Sequence, residues 1–107
     1  MKKQVIVAGG GASGLVAALE AARAGAQVIV LEKEKAPARK VLASGNGRCN
    51  FTNARAASGN YHGDLRFVSR VLEGFSGGEA AAYFARLGVL YREEADGRIF
   101  PFSGKSR

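Results

Sequence analysis

The spacing of apolar residues changes period twice within the first thirty-two positions. Val5-Ile6-Val7-Ala8 is a continuous apolar run of strand length. It enters Gly9-Gly10-Gly11-Ala12-Ser13-Gly14, and Leu15-Val16-Ala17-Ala18-Leu19 then continues with helical spacing. This pattern predicts a helix from about Ala12 to Ala24, with Gly25 as a left-handed stop. Ala17, Ala18, Ala21 and Ala22 keep the helix thin, so it can lie close to a sheet. Val28-Ile29-Val30-Leu31 reads as a second strand that ends at Glu32. Strand, glycine turn, helix, strand and acid together form the dinucleotide-binding fingerprint in its full context.

Each part of the fingerprint has a physical task. Gly9 permits a tight turn out of the first strand, where a Cβ would be strained. Gly11 lets the backbone approach a pyrophosphate, and Gly14 lets the helix pack on the strand. The phosphates meet unpaired N–H groups at the positive end of the helix dipole. Glu32 stands where a carboxylate accepts hydrogen bonds from both ribose hydroxyls of an adenosine. It would repel a 2′-phosphate, which favours FAD or NAD over NADP.

Beyond this unit, Lys33-Glu34-Lys35 is charged, Pro37 permits a helix start, and Arg39 and Lys40 precede apolar Val41 and Leu42. Ser44-Gly45-Asn46-Gly47-Arg48-Cys49-Asn50-Phe51-Thr52-Asn53 is too rich in Gly, Asn and Ser for a regular element. Glycines beside small donors, with one Arg, suit either a loop folded against a polar ligand or a plain surface turn. Residues 54–63 read as a connection. From Asp64 to Leu72 the apolar spacing is helical, and Ser76 with Glu79 forms a capping-box signal for a second helix that Gly88 stops. Val89 to Glu93 and Arg98 to Phe102 read as strands joined through Asp96-Gly97, with Pro101 marking an edge strand or a strand end. The aromatic residues here are expected in the core.

Composition narrows the classes. The 107 residues bound at most one modest domain, and 47% hydrophobic with 23% charged residues is a globular balance. No apolar run approaches the roughly 20 residues of a membrane span, and the apolar run after Lys2-Lys3 is too short for a signal peptide. The expected location is the cytoplasm, without a membrane partner. A single cysteine, Cys49, and a single histidine, His62, exclude a disulfide framework and a Cys- or His-rich metal site. Cys49 is expected as a small packed residue rather than a nucleophile. The net charge of +7 is dispersed and carries no RNA-binding signature, so an anionic cofactor is expected and nucleic acid is not. No side chain stands out as a catalytic acid or base.

Three stretches together resemble the BaiN/RdsA-type family of NAD(P)/FAD-dependent oxidoreductases, the YhiN-like flavoproteins. They are Gly9 to Gly14 with Glu32-Lys33 and Arg39-Lys40; Ser44 to Asn53, similar to an SGxGRCNxTN signature; and Leu87-Gly88-Val89 with Gly97-Arg98-Ile99-Phe100-Pro101 and Ser103. The resemblance implies an α/β chain that is the N-terminal part of a glutathione-reductase-like, Rossmann-type FAD-binding fold. Its sheet would be incomplete here and completed by a C-terminal part of the same fold. Residues 1–107 would form one FAD-binding segment, with 1–53 as the β-α-β unit plus flavin-side loop and 54–107 as helices and hairpin. The turn Gly9, Gly11, Ala12, Ser13 and Gly14 would hold the pyrophosphate and Glu32 the ribose. Lys33 would lie near the adenosine, and Arg39 and Lys40 near the phosphates or ribityl chain. Ser44, Gly45, Gly47, Arg48, Cys49 and Asn50 would follow the ribityl and flavin side, with Arg48 supplying positive charge there. Ala38 departs from the glycine usual in that family before the Arg-Lys pair.

The implied activity is electron transfer from a reduced nicotinamide cofactor, NAD(P)H, through FAD to an unidentified small organic acceptor. An NAD-binding Rossmann enzyme is the alternative, although Ser44 to Asn53 has no evident task there. The third reading is a non-enzymatic truncated module whose open strand edges favour self-association.

Overall fold

The computed structural model describes residues 1–107, which fold as two compact units, Met1–Ala43 and Ser44–Arg107. In the first unit, strand β1 (Gln4–Ala8) leads to helix α1 (Ala12–Arg23), strand β2 (Gln27–Leu31) and a short helix α2 (Arg39–Ala43). β1 and β2 are parallel, in register from Gln4 opposite Gln27 to Ala8 opposite Leu31. The expected β-α-β unit is therefore present, with the helix ending one residue before Ala24. Gly25 follows at φ 96°, a conformation that glycine adopts without steric cost, and its N–H returns to the Ala22 carbonyl at 3.0 Å.

The strands alternate. Val5, Val7, Val28 and Val30 are half-buried, whereas Ile6, Ile29 and Leu31 are exposed. Val7 faces α1, because a Cβ on Gly14 would come within 3.3 Å of its Cγ1. A parallel sheet ordinarily has both faces covered. Two strands with one face open are the physical form of the incomplete sheet expected from the sequence.

In the second unit, a tight turn over Ser44–Gly47 precedes β3 (Thr52–Asn53), and α3 (Leu65–Gly74) and α4 (Gly77–Arg86) precede β4 (Tyr91–Glu93) and β5 (Arg98–Pro101). Asp64 caps α3 by accepting from the Arg66 and Phe67 N–H groups at 3.0 and 3.3 Å. Ser76 and Glu79 form the expected reciprocal capping box on α4, at 3.1 and 3.3 Å. The strands form an antiparallel sheet ordered β3-β5-β4. β5 is thus central rather than an edge, and Pro101 is its last residue. β3 is a pairing the sequence pattern did not predict.

Ile99 and Phe100, each 2% exposed, are the largest buried side chains, and Ala81 and Cys49 complete the buried core. Burying each of the two large side chains contributes about 1.5–3 kcal/mol. Phe84 meets Phe51 and Tyr83 edge-to-face at centroid distances of 5.4 and 5.3 Å, so these aromatic residues are packed as expected. Phe67, Phe75, Tyr91 and Phe102 are not; all four are exposed, Phe67 and Phe102 by about two thirds. No helix is long and apolar enough to cross a membrane.

Candidate functional site

The glycine loop of the first unit has two kinds of glycine. Gly9 (φ 109°) and Gly14 shape the turn: a Cβ on Gly14 would collide with the Gly9 carbonyl oxygen. Gly9 also ties the loop to the sheet, donating its N–H to the Leu31 carbonyl at 2.8 Å. Gly11 is the N-cap of α1. A Cβ there would meet nothing within 4 Å. The first turn has no side-chain cap and no acidic residue, so its N–H groups and the positive end of the dipole are open to an anion.

That opening faces a groove of about 890 Å³. Of the residues expected to bind a nucleotide, Gly11, Ala12, Ser13, Glu32, Lys33, Arg39 and Lys40 line it. Gly9 and Gly14 do not line it and act through the turn.

Glu32 leaves the end of β2 and points back at the loop. Its Oε1 accepts the Gly10 N–H at 2.7 Å and its Oε2 accepts the Glu34 N–H at 2.8 Å. These two backbone donors, Glu34 first, hold the carboxyl below the usual carboxylate range against the cost of partial burial, helped by the charges of Lys33 and Arg39. An ionised carboxylate oxygen has two acceptor positions, so each keeps one for a hydroxyl. Glu32 is held ionised and aimed, which suits a ribose diol.

Three residues matter here that the fingerprint did not single out. Gly10 is the donor to Glu32, and a Cβ on it would lie 3.1 Å from Glu32 Oε1 and 3.2 Å from Pro37 Cβ. Ala38 donates its N–H to the Gly10 carbonyl at 2.8 Å from a left-handed backbone, φ 59°. The departure from glycine at this position was the available signal. Glu34 pairs with Arg39, Oε2 to Nη1 at 3.0 Å, and nothing in its sequence context indicated that contact.

Ser44, Gly45, Gly47, Arg48, Cys49 and Asn50 belong to the second unit. Gly45, Asn46, Gly47 and Cys49 all have positive φ, between 55° and 81°. The turn closes through Arg48 N–H to Gly45 O at 3.1 Å and Cys49 N–H to Ser44 O at 3.0 Å. A Cβ on Gly45 would lie 2.7 Å from the Asn50 nitrogen, so glycine is needed for the turn to close. Arg48 stacks on Phe100, 4.1 Å from the ring centroid, and its Nη2 donates to Glu94 Oε1 at 3.0 Å. Cys49 is buried and packed. Thr52 Oγ1 donates to the Gly77 carbonyl at 3.0 Å, and Asn53 Oδ1 accepts the Arg55 N–H at 2.8 Å. The stretch is therefore an internally tied loop on the β5 strand rather than a loose surface turn.

A family model described as the HI0933-like protein Rossmann domain matches residues 3–107. The chain is 46% identical over 103 residues to the 3-dehydro-bile acid delta(4,6)-reductase of Clostridium scindens, covering 94% of this chain and 25% of that protein. It is 33% identical over 96 residues to the ribosomal RNA dihydrouridine synthase of Escherichia coli, covering 89% of this chain and 24% of that protein. The protein of the same name from Haemophilus influenzae is 34% identical over the same length and shares. The chain thus spans about a quarter of the length of the curated relatives it matches. With the glycine turn, the open helix terminus and the anchored Glu32 in place, the chain belongs to the HI0933-like Rossmann domain family.

Proposed function

We propose that this chain is the FAD-binding segment of a flavin-dependent oxidoreductase that passes electrons from a reduced nicotinamide cofactor to an organic acceptor. The observation that carries the proposal is the pairing of an uncapped helix terminus with a carboxylate held at both oxygens by backbone N–H groups, on one groove. The groove fits the adenosine diphosphate half of FAD. The N–H groups at Gly11, Ala12 and Ser13 would take the pyrophosphate and Glu32 the ribose. Lys33 would lie by the adenosine, and Arg39 and Lys40 would serve the phosphates or ribityl chain.

Ser44, Gly45, Gly47, Arg48, Cys49 and Asn50 would form the flavin-side loop. Bound FAD supplies a two-electron sink that no side chain offers, and a nearby cation favours its reduced, anionic form. Arg48, held by Phe100 and Glu94, would supply that cation through the N–H donors its fork retains.

The relatives' names support an acceptor class. The names delta(4,6)-reductase of a 3-dehydro-bile acid and dihydrouridine synthase both denote reduction of a ring carbon–carbon double bond. We assign this protein the same class of acceptor, without a particular substrate. Competition of FAD against NAD on flavin-free protein tests the reading. Tighter FAD binding is expected, and tighter NAD binding would instead favour a plain nicotinamide-binding enzyme.

A further inference from the structure

Gly10, Glu32, Glu34, Arg39 and Ala38 close a circuit at one end of the groove. The Gly10 N–H meets Glu32 Oε1 at 2.7 Å, and the Glu34 N–H meets Glu32 Oε2 at 2.8 Å. Arg39 Nη1 donates to Glu34 Oε2 at 3.0 Å, and its neighbour Ala38 returns an N–H to the Gly10 carbonyl at 2.8 Å. The family resemblance sets Arg39 at the phosphates or ribityl chain, but the circuit holds it on the ribose side, beside the carboxylate expected to receive the adenosine ribose. Arg39 is also the one guanidinium on the groove wall; the other cations there, Lys33 and Lys40, are ammonium groups.

A guanidinium next to the ribose acid is the group that accommodates a 2′-phosphate, which it grips as a planar fork. Here its Nη1 is engaged by a carboxylate. We infer that Glu34 is a specificity-determining residue: by holding Arg39, and by adding a second negative charge beside Glu32, it keeps nucleotides with a 2′-phosphate out of the adenosine site. This rests on the FAD reading. The Glu34–Arg39 pair is solvent-exposed and contributes little to stability. Its effect is on which anion Arg39 meets.

The test follows FAD rebinding to flavin-free protein by fluorescence quenching, with ADP and 2′-phospho-ADP as competitors. The unsubstituted protein should prefer ADP. Glu34→Gln should reduce that preference about two- to fivefold, the scale of an exposed ion pair. Adding Arg39→Gln to Glu34→Gln should restore it. An unchanged ratio in Glu34→Gln overturns the inference, as does a double variant that keeps the altered ratio. If ADP fails to compete in the unsubstituted protein, the proposed function falls and this inference falls with it.

Discussion

The backbone N–H of Gly10 donates to Oε1 of Glu32 at 2.7 Å, joining the glycine turn to the acid twenty-two residues later. The middle glycine of the turn therefore sets the aim of the carboxylate. Gly10→Ala puts a Cβ 3.1 Å from that oxygen and 3.2 Å from Pro37 Cβ. The contacts are tight and the neighbours must yield by a few tenths of an ångström. We expect a stability loss of about 1 kcal/mol and a larger proportional loss of nucleotide affinity. Denaturant unfolding and ligand titration on the same variant would separate the two.

The same hydrogen bonds make stability depend on acid. The Glu32 carboxyl is held below its unfolded-state range, so the native state resists protonation more than the unfolded chain does. The stabilisation is complete above the unfolded-state range and is lost as pH falls through the lowered native value. The Tm difference between the unsubstituted protein and Glu32→Gln should therefore shrink on acidification from neutral pH. A difference that stays constant would show that the carboxylate's charge is not what the two N–H groups stabilise.

Gly14→Ala addresses helix placement. Its Cβ would collide with the Gly9 carbonyl oxygen, which is backbone, and press on the half-buried Val7. α1 must then move off the sheet. We expect a cost of about 1–3 kcal/mol from overpacking, together with loss of FAD binding as the helix terminus leaves the groove. Calorimetric unfolding and FAD titration would check it.

Ala38→Gly should go the other way. Ala38 stands at φ 59°, a conformation that disfavours a Cβ, and its N–H is committed to the Gly10 carbonyl. Relieving the strain should outweigh the added freedom of the unfolded chain and stabilise the protein by about 0.5–1 kcal/mol. A lower denaturation midpoint would count against the left-handed turn.

Arg48→Met removes both the Glu94 contact and the stacking on Phe100. Each is discounted for partial exposure, and together they should amount to about 1–2 kcal/mol. A double-mutant cycle with Glu94→Gln would apportion the loss; a coupling near zero would leave Arg48 with no ion-pair role in the loop.

The first thirty-two residues were legible because their structure is local. A strand run, a glycine turn and a helical period each follow from neighbouring residues, and the Ser76–Glu79 box is read across three positions. β3 was not legible. Thr52 and Asn53 become a strand only by pairing with Ile99 and Arg98, and their Gly- and Asn-rich surroundings carry no strand signal. The same non-local pairing makes β5 central and leaves Pro101 harmless at its end. The acid at Glu32 was readable from its place after β2. Its tether to Gly10, and the hold of Glu34 on Arg39, depend on how the chain after β2 returns to the glycine turn.

FAD titration of flavin-free full-length protein, with and without Glu32→Ala, tests whether the Glu32 carboxylate holds the ribose of a bound flavin. The unsubstituted full-length protein should bind FAD and acquire the absorption band of bound oxidised flavin, and Glu32→Ala should weaken binding at least about tenfold, the scale of losing charge-assisted bonds to both ribose hydroxyls. A protein that takes up no flavin, or one whose affinity is unmoved by loss of the Glu32 carboxylate, would contradict it.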